Sequence, residues 1–272
     1  MANHITSHRA GFGPGFTEIT RLGGDHRAIG IGLGVLRHPA GYRETVETIR
    51  ETAWLLMAGR IAVSIGNRTE HLSRKSLFDE PPSAVHVSAG ERVVFAFEED
   101  AELTVYESAN TARFAPRIYR PEDVPNEHRG AGQVGNACYR FVRTIFDRSN
   151  ADAAAELVLG EVVTMPGRWS SYPPHHHAQP EIYHYRFTLP QGYGHAELGD
   201  AVLKVRQNDT IAIPAGLDHA QCAAPGYGMY YSWVIRHLPD NPYTIPEFTE
   251  DHRWTMEKGA RFWWPKDVPG HG

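Results

Sequence analysis

The residues best suited to chemistry lie in one stretch, Trp169 to Phe187, which reads WSSYPPHHHAQPEIYHYRF. Imidazole and carboxylate are the side chains that hold divalent cations, and here three consecutive histidines precede a glutamate and an aromatic run. A β-strand points alternate side chains to opposite faces, so His175 and His177 share a face. Glu181, Tyr183 and Tyr185 keep that odd-numbered parity while the chain stays extended. His176 and His184 point the other way and read as supporting or surface groups. Further along, NDTIAIPAGLDHA (208–220) supplies a short β run, a Pro-x-Gly turn and His219 at the start of a returning strand. His175, His177 and Glu181 on one segment, with His219 on a neighbour, can surround one divalent cation. A lone histidine run is as readily polar surface. Glu181 at the matching parity and His219 behind its turn are two further coincidences that a surface run does not need.

These groups require a rigid scaffold, and the rest of the chain reads as strands. FTEITRL, IGIGLGVLR, IAVSIG, AVHVSAG, RVVFAFEED and AELTVYESA follow one another with Gly, Asn and Asp between them. Their spacing of roughly 8 to 12 residues predicts an all-β, antiparallel sandwich or barrel and not a βαβ fold. TVETIRETAW (45–54) has a helical look, but its Thr and Val content predicts strand. GNRTEH (66–71) is a hairpin turn. His86 has no neighbouring ligand and reads as a core or surface histidine, which leaves the first half without metal.

Residues 1–14 are Gly-rich and polar and are expected to form a flexible arm. Residues 15–115 and 140–240 carry similar strand density and are expected to be two domains, joined by a Pro- and Gly-rich linker over 116–139. Residues 241–272 read as an irregular tail whose Trp254, Trp263 and Trp264 anchor it by packing, on this chain or on a second copy in a homo-oligomer. The chain has 272 residues and a formal charge of −5, which argues against a nucleic-acid partner. Two cysteines, Cys138 and Cys222, form no metal or redox pattern and read as packed thiols. No apolar run is long enough for a membrane span and the N-terminus lacks a signal core, so a cytoplasmic soluble protein is expected.

The spacing HxH, three residues, Glu, and later PxGxxH resembles the cupin metal motif, with Asn208 where cupins usually carry Gly. The chain as a whole resembles the family of 5-deoxy-glucuronate isomerases, inositol-breakdown enzymes related to 5-keto-4-deoxyuronate isomerases. The resemblance is carried by RKSLFDEPP (74–82), RPEDV (120–124), RGAG (129–132), GRWSSYPPHHH (167–177), EIYHYRF (181–187), APGYGMYY (224–231) and EDHRW (250–254). It implies a bicupin: two jelly-roll β-barrels, with one metal in the second held by His175, His177, Glu181 and His219. Zinc is the first choice, with manganese or iron as alternatives. Arg168, the HHH run, the short AQP and YHYRF depart from the family's usual residues beside the pocket.

The reaction implied is an aldose–ketose shift that converts 5-deoxy-glucuronate to 5-dehydro-2-deoxy-gluconate through an enediolate. A divalent cation suits it by binding carbonyl and hydroxyl oxygens together. Glu181, Tyr183 and Tyr185 are the candidate catalytic groups, the tyrosines as hydrogen-bonding partners unless their pKa is strongly lowered. Arg186 and Arg253 are candidates for pairing with the substrate carboxylate, although Arg186 has outward parity. Tyr172, Gln221 and Tyr231, within or beside the family motifs, complete the expected substrate contacts. A metal-dependent cupin dioxygenase, an isomerase of a related uronate and a non-catalytic sugar-binding cupin are the other readings. An activity assay without oxygen separates the first and third from an isomerase.

Overall fold

The computed structural model describes residues 4–25 and 28–266. Nearly all regular structure is antiparallel β, as the run of short alternating segments predicts. The first half contains β1 (His4–Ile5), β2 (Gly15–Thr20), β3 (Gly32–His38), β4 (Arg43–Glu47), β5 (Thr52–Ile65), β6 (Arg68–Arg74), β7 (Ala84–Val87), β8 (Arg92–Phe97), β9 (Ala101–Glu107) and β10 (Arg117–Tyr119). The second half contains β11 (Glu127–Arg129), β12 (Arg140–Phe146), β13 (Leu157–Thr164), β14 (Trp169–His176), β15 (Glu181–Phe187), β16 (Tyr193–Leu198), β17 (Ala201–Arg206), β18 (Thr210–Ile213), β19 (His219–Ala223), β20 (Met229–Arg236) and β21 (Glu247–Phe248).

In the first half, β2 to β10 make one nine-stranded sheet. It turns a corner inside β5: the strand pairs with β7 and β9 through Ala58, then with β6 and β8 from Gly59 onward. Gly59 has φ +94°, and a Cβ there would lie 2.2 Å from the Asp100 carbonyl oxygen, so only glycine allows the bend. The two arms enclose Trp54, Leu56, Ile61, Val63, Val85 and Phe95. TVETIRETAW is extended, divided between β4 and β5, and Gly66 and Asn67 form the β5–β6 hairpin turn.

The second half stacks two sheets, β1-β18-β15-β20-β13-β12-β11 and β17-β16-β19-β14-β21. Parity in β15 sorts its neighbours. Tyr183, Tyr185 and Phe187 face inward with Val142, Val162 and Tyr231, while Ile182 faces outward with Leu157, Leu159, Val163 and Val234. That outer face is not wet. It packs on Ile29, Ile31, Leu33, Leu55 and Tyr106 of the first half, so β15 is buried along its whole length.

Three expectations are corrected here. The N-terminal segment is not a free arm: β1 adds to β18, and Arg9 donates to both oxygens of the fully buried Asp209 at 2.7 Å, with His4 at 2.8 Å. Burial alone would raise the Asp209 carboxyl, but bonds from Arg9, His4 and the Arg206 amide outweigh it and lower it. The 116–139 segment is not only a linker, since β10 extends the first half's sheet and β11 extends the second's. Trp254 and Trp263 do not anchor the tail on its own chain, because Trp263 is 83% exposed and Trp254 42%. Among the described residues no helix is long and apolar enough to cross a membrane.

Candidate metal centre and its cavity

β14 ends in the histidine run, and antiparallel pairing to β19 sets His175 directly opposite His219. The chain then turns through Gln179 and Pro180 into β15, whose first residue is Glu181. The turn is fixed at both ends. Gly216 of the Pro-x-Gly loop donates to the His177 carbonyl at 2.8 Å, and the Gln179 amide donates to the Asn241 carbonyl at 2.7 Å. As a result the ligand atoms of His177, Glu181 and His219 lie within 4.8 Å of one another, all buried. His175 stands outside that tight group but beside it, its ring 4.4 Å from the His219 ring and 5.7 Å from Phe248.

Hydrogen bonding aims the rings. Nδ1 of His175, His177 and His219 lies 3.1, 2.7 and 3.0 Å from the backbone carbonyls of Pro173, Gln179 and Leu217. A carbonyl only accepts, so each Nδ1 donates its proton there and each ring turns its Nε2 inward, where the lone pair is offered once Nε2 carries no proton. Nε2 of His177 and Nε2 of His219 are each 3.2 Å from the same Glu181 oxygen. His219 Nε2 is buried with no hydrogen-bond partner. Lone pairs that converge on a carboxylate need a cation between them. In the bare protein a proton fills that role: burial opposes charge on His177, but the bond and charge of Glu181 outweigh it and raise the ring. Burial would raise Glu181, yet His177 and His219 hold it down at about 2. Burial, with His219 next to it, lowers His175 to about 3 and keeps it neutral. The donor set, its orphaned nitrogen and its carbonyl-anchored rings therefore fit a divalent metal.

The group forms one wall of a cavity of about 300 Å³. Tyr172, Tyr183 and Ser171 line it, as do Val142, Val162 and Trp233. Ser171 sits in the left-handed region at φ +49° and lies 3.2 Å from the Tyr183 hydroxyl and 2.9 Å from that of Tyr231. Burial raises Tyr183 well above the ordinary tyrosine value and Tyr231 to about 12, so both keep their protons. Tyr185 lies deeper. It donates to Gln221 at 2.7 Å, and burial raises its hydroxyl as well; neither Tyr185 nor Gln221 lines the cavity.

The two arginines expected to meet a substrate carboxylate are elsewhere. Arg186 lies on the outer face of β15, where it bonds His184 and pairs with Glu102 of the first half at 2.6 Å. Arg253 is exposed and paired with Glu250 at 2.8 Å. The cavity is instead lined by Arg129 and Arg140, from the segment read as a linker and the strand that follows it, and by Tyr243, Ile245 and Phe248 of the tail. Tyr243 packs its ring 5.0 Å from that of His177. The sequence places a strand here, within 140–240, but not which of its faces meets the site; Arg140 and Val142, two residues apart in β12, share the face that lines the cavity.

Comparison with known proteins places the chain among relatives over most of its length. The chain is 28% identical to a 5-deoxy-glucuronate isomerase of Geobacillus thermodenitrificans over 255 residues, covering 84% of this chain and 86% of the relative. It is 27% identical to the 5-deoxy-glucuronate isomerase of Bacillus subtilis strain 168 over 261 residues, covering 89% and 92%. An IolB-like protein from Salmonella typhimurium LT2 superposes with a TM-score of 0.79 at 25% identity, covering 90% of this chain and 97% of that one. An oxalate decarboxylase, at 11% identity and TM-score 0.63 over 87% and 76% of the two chains, shares the fold alone. The model of the KduI/IolB family matches residues 18–255, and the chain belongs to that family.

Proposed function

We propose that this chain is a metal-dependent aldose–ketose isomerase that converts 5-deoxy-glucuronate to 5-dehydro-2-deoxy-gluconate in inositol breakdown. We further propose that its two halves are jelly-roll barrels and that only the second holds metal. As a member of its family it is an isomerase, like the curated relatives it matches. The observation that carries the metal reading is the convergence of His177, Glu181 and His219 on one point at the wall of a sugar-sized cavity, with a buried nitrogen left over. His175 is the fourth ligand in this reading. Zinc, manganese and iron all suit three imidazoles and a carboxylate, and zinc is preferred.

When bound, the metal supplies a Lewis acid that polarises the substrate carbonyl and the neighbouring hydroxyl. The protein supplies the rest. Glu181 stays ionised and fixes the imidazoles around it. Tyr183 is too basic a phenolate to exist at neutral pH, so its hydroxyl donates and, with Ser171, orients a substrate oxygen. Val142, Val162, Trp233, Ile235 and Phe248 exclude water from the reacting carbons. Metal-loaded protein given 5-deoxy-glucuronate without oxygen should form the ketose, read by NMR. No turnover with zinc, manganese or iron would refute the proposal.

A further inference from the structure

We infer that Arg140 is the positioning residue that receives the substrate's carboxylate. For the identity of the acid, the inference rests on the isomerase reading above. The observation is an unbalanced charge. Arg140 lines the cavity on the inward face of β12, and its side chain crosses from the seven-stranded sheet to β14. It donates Nη1–H to the Cys138 carbonyl at 2.9 Å and Nη2–H to the Tyr172 carbonyl at 3.2 Å. Its Nε–H is buried and has no partner.

The ionisable groups that act on Arg140 are Tyr231, Cys138 and Arg129, and none is a carboxylate. Burial, the dominant influence, lowers its pKa. A half-buried guanidinium whose Nε–H is shut off from water and which has no counter-ion is costly, and proteins rarely keep one unless something anionic arrives. The two fully buried arginines of the second half each have an acid: Arg143 meets Glu161 and Arg186 meets Glu102.

The donor count also fits. Arginine has five N–H groups; two are taken by carbonyls, and Nε–H is among the three that remain. A carboxylate takes two parallel N–H groups from such a fork. The carbonyl bonds hold the guanidinium plane, so little rotamer freedom is lost when the acid binds. Tyr172, whose carbonyl Arg140 grips, stands on the same strand as His175. Arg140 therefore sets the acid end of the substrate relative to the metal ligands. Arg129, exposed and paired with Glu127 at 2.9 Å, adds positive potential at the entrance.

The test compares D-gluconate with its neutral counterpart D-glucitol, titrated by calorimetry into the metal-loaded protein. Wild type should bind gluconate more tightly, by roughly 10- to 100-fold. Arg140→Met should abolish that preference, leave glucitol binding and metal content as they were, and raise KM for the sugar acid with kcat little changed. Arg140→Lys keeps the charge without the fork and should lose most of the preference; it stands in if the Met variant fails to fold. A preference that survives in either variant, or none in wild type, overturns the inference. Turnover is read separately. A protein that prefers gluconate through Arg140 but isomerises no sugar acid refutes the isomerase reading and leaves this one standing. An active Arg140→Met enzyme with wild-type KM does the reverse.

Discussion

Binding of zinc to the metal-free protein should release protons, and the geometry says from where. His177 is raised above its ordinary 6.5 by the Glu181 carboxylate, so at pH 6.5 more than half of the molecules carry a proton on its Nε2. His175, held near 3, carries none. A metal that takes the His177 lone pair must expel that proton, which makes the affinity fall by about tenfold per pH unit once the pH is below the His177 value. Zinc titrations in buffers of different ionisation enthalpy, from pH 5.5 to 8, count the protons directly. Glu181→Gln is the control. Without the carboxylate, burial is the main influence left on His177 and pushes its pKa below 6.5, so the proton count should drop while the affinity also weakens. Zero release from wild type at pH 6.5, or a count unchanged in Glu181→Gln, would refute the account of the charge balance. The same pair affects the bare fold in opposite directions with pH. The contribution of His177 is complete below pH 6.5 and fades as pH rises through its raised value. That of Glu181 fades as pH falls below its ordinary 4.5 towards about 2.

Four further outcomes are expected. His219→Ala should lose metal and activity together, whereas His86→Ala should keep its metal because His86 is tied to Glu51 in the first half at 2.8 Å; metal analysis of both purified variants checks this. Tyr183→Phe should retain metal and lower turnover by roughly 10²-fold, the order expected for one lost donor to a developing oxyanion. Product made in heavy water should carry deuterium at the former aldehyde carbon, and unlabelled product would argue for a hydride shift. Glu161→Gln should destabilise the protein by about 3–5 kcal/mol in a denaturant titration, because it removes the one carboxylate shared by the buried Arg74 and Arg143, at 2.6 and 2.9 Å. A loss below about 1 kcal/mol would show that the backbone carbonyls around the two arginines suffice on their own.

Much of the site was legible because it depends on local periodicity. Alternation alone places Glu181, Tyr183 and Tyr185 on one face of β15 and Arg186 on the other, and a Pro-x-Gly turn announces the strand that begins with His219. What alternation cannot show is the partner of each face. Arg186 faces outward as its parity requires, yet outward is a second interior in which Glu102, 84 positions away, meets it. β1 was missed for a similar reason: it is two residues long, and the contact that holds its segment, Arg9 to Asp209, spans 200 positions. Tyr243, Ile245 and Phe248 sit in a Pro-rich stretch with no period, and they reach the cavity only because β21 pairs with β14 at His175.

None of the proposed ligands comes from the first half, yet the strand that carries Glu181 depends on it. A two-layer second half alone would leave Leu157, Leu159, Val163, Ile182 and Val234 facing water on the back of the sheet that carries Glu181. The first half covers that surface and adds polar bonds that fix its position: Tyr106 to Ser232 at 2.6 Å, Arg74 to Glu161 and Arg186 to Glu102. Ser232 pairs with His184, and Glu161 pairs with Ser232 on the other side, so these bonds act on the strands immediately beside Glu181 and Tyr183. A metal centre tolerates only small errors in ligand placement, and side chains on a sheet clamped from behind hold their geometry better than side chains on a sheet with one wet face. The first half thus acts on the proposed chemistry through the backbone of β15, β20 and β13.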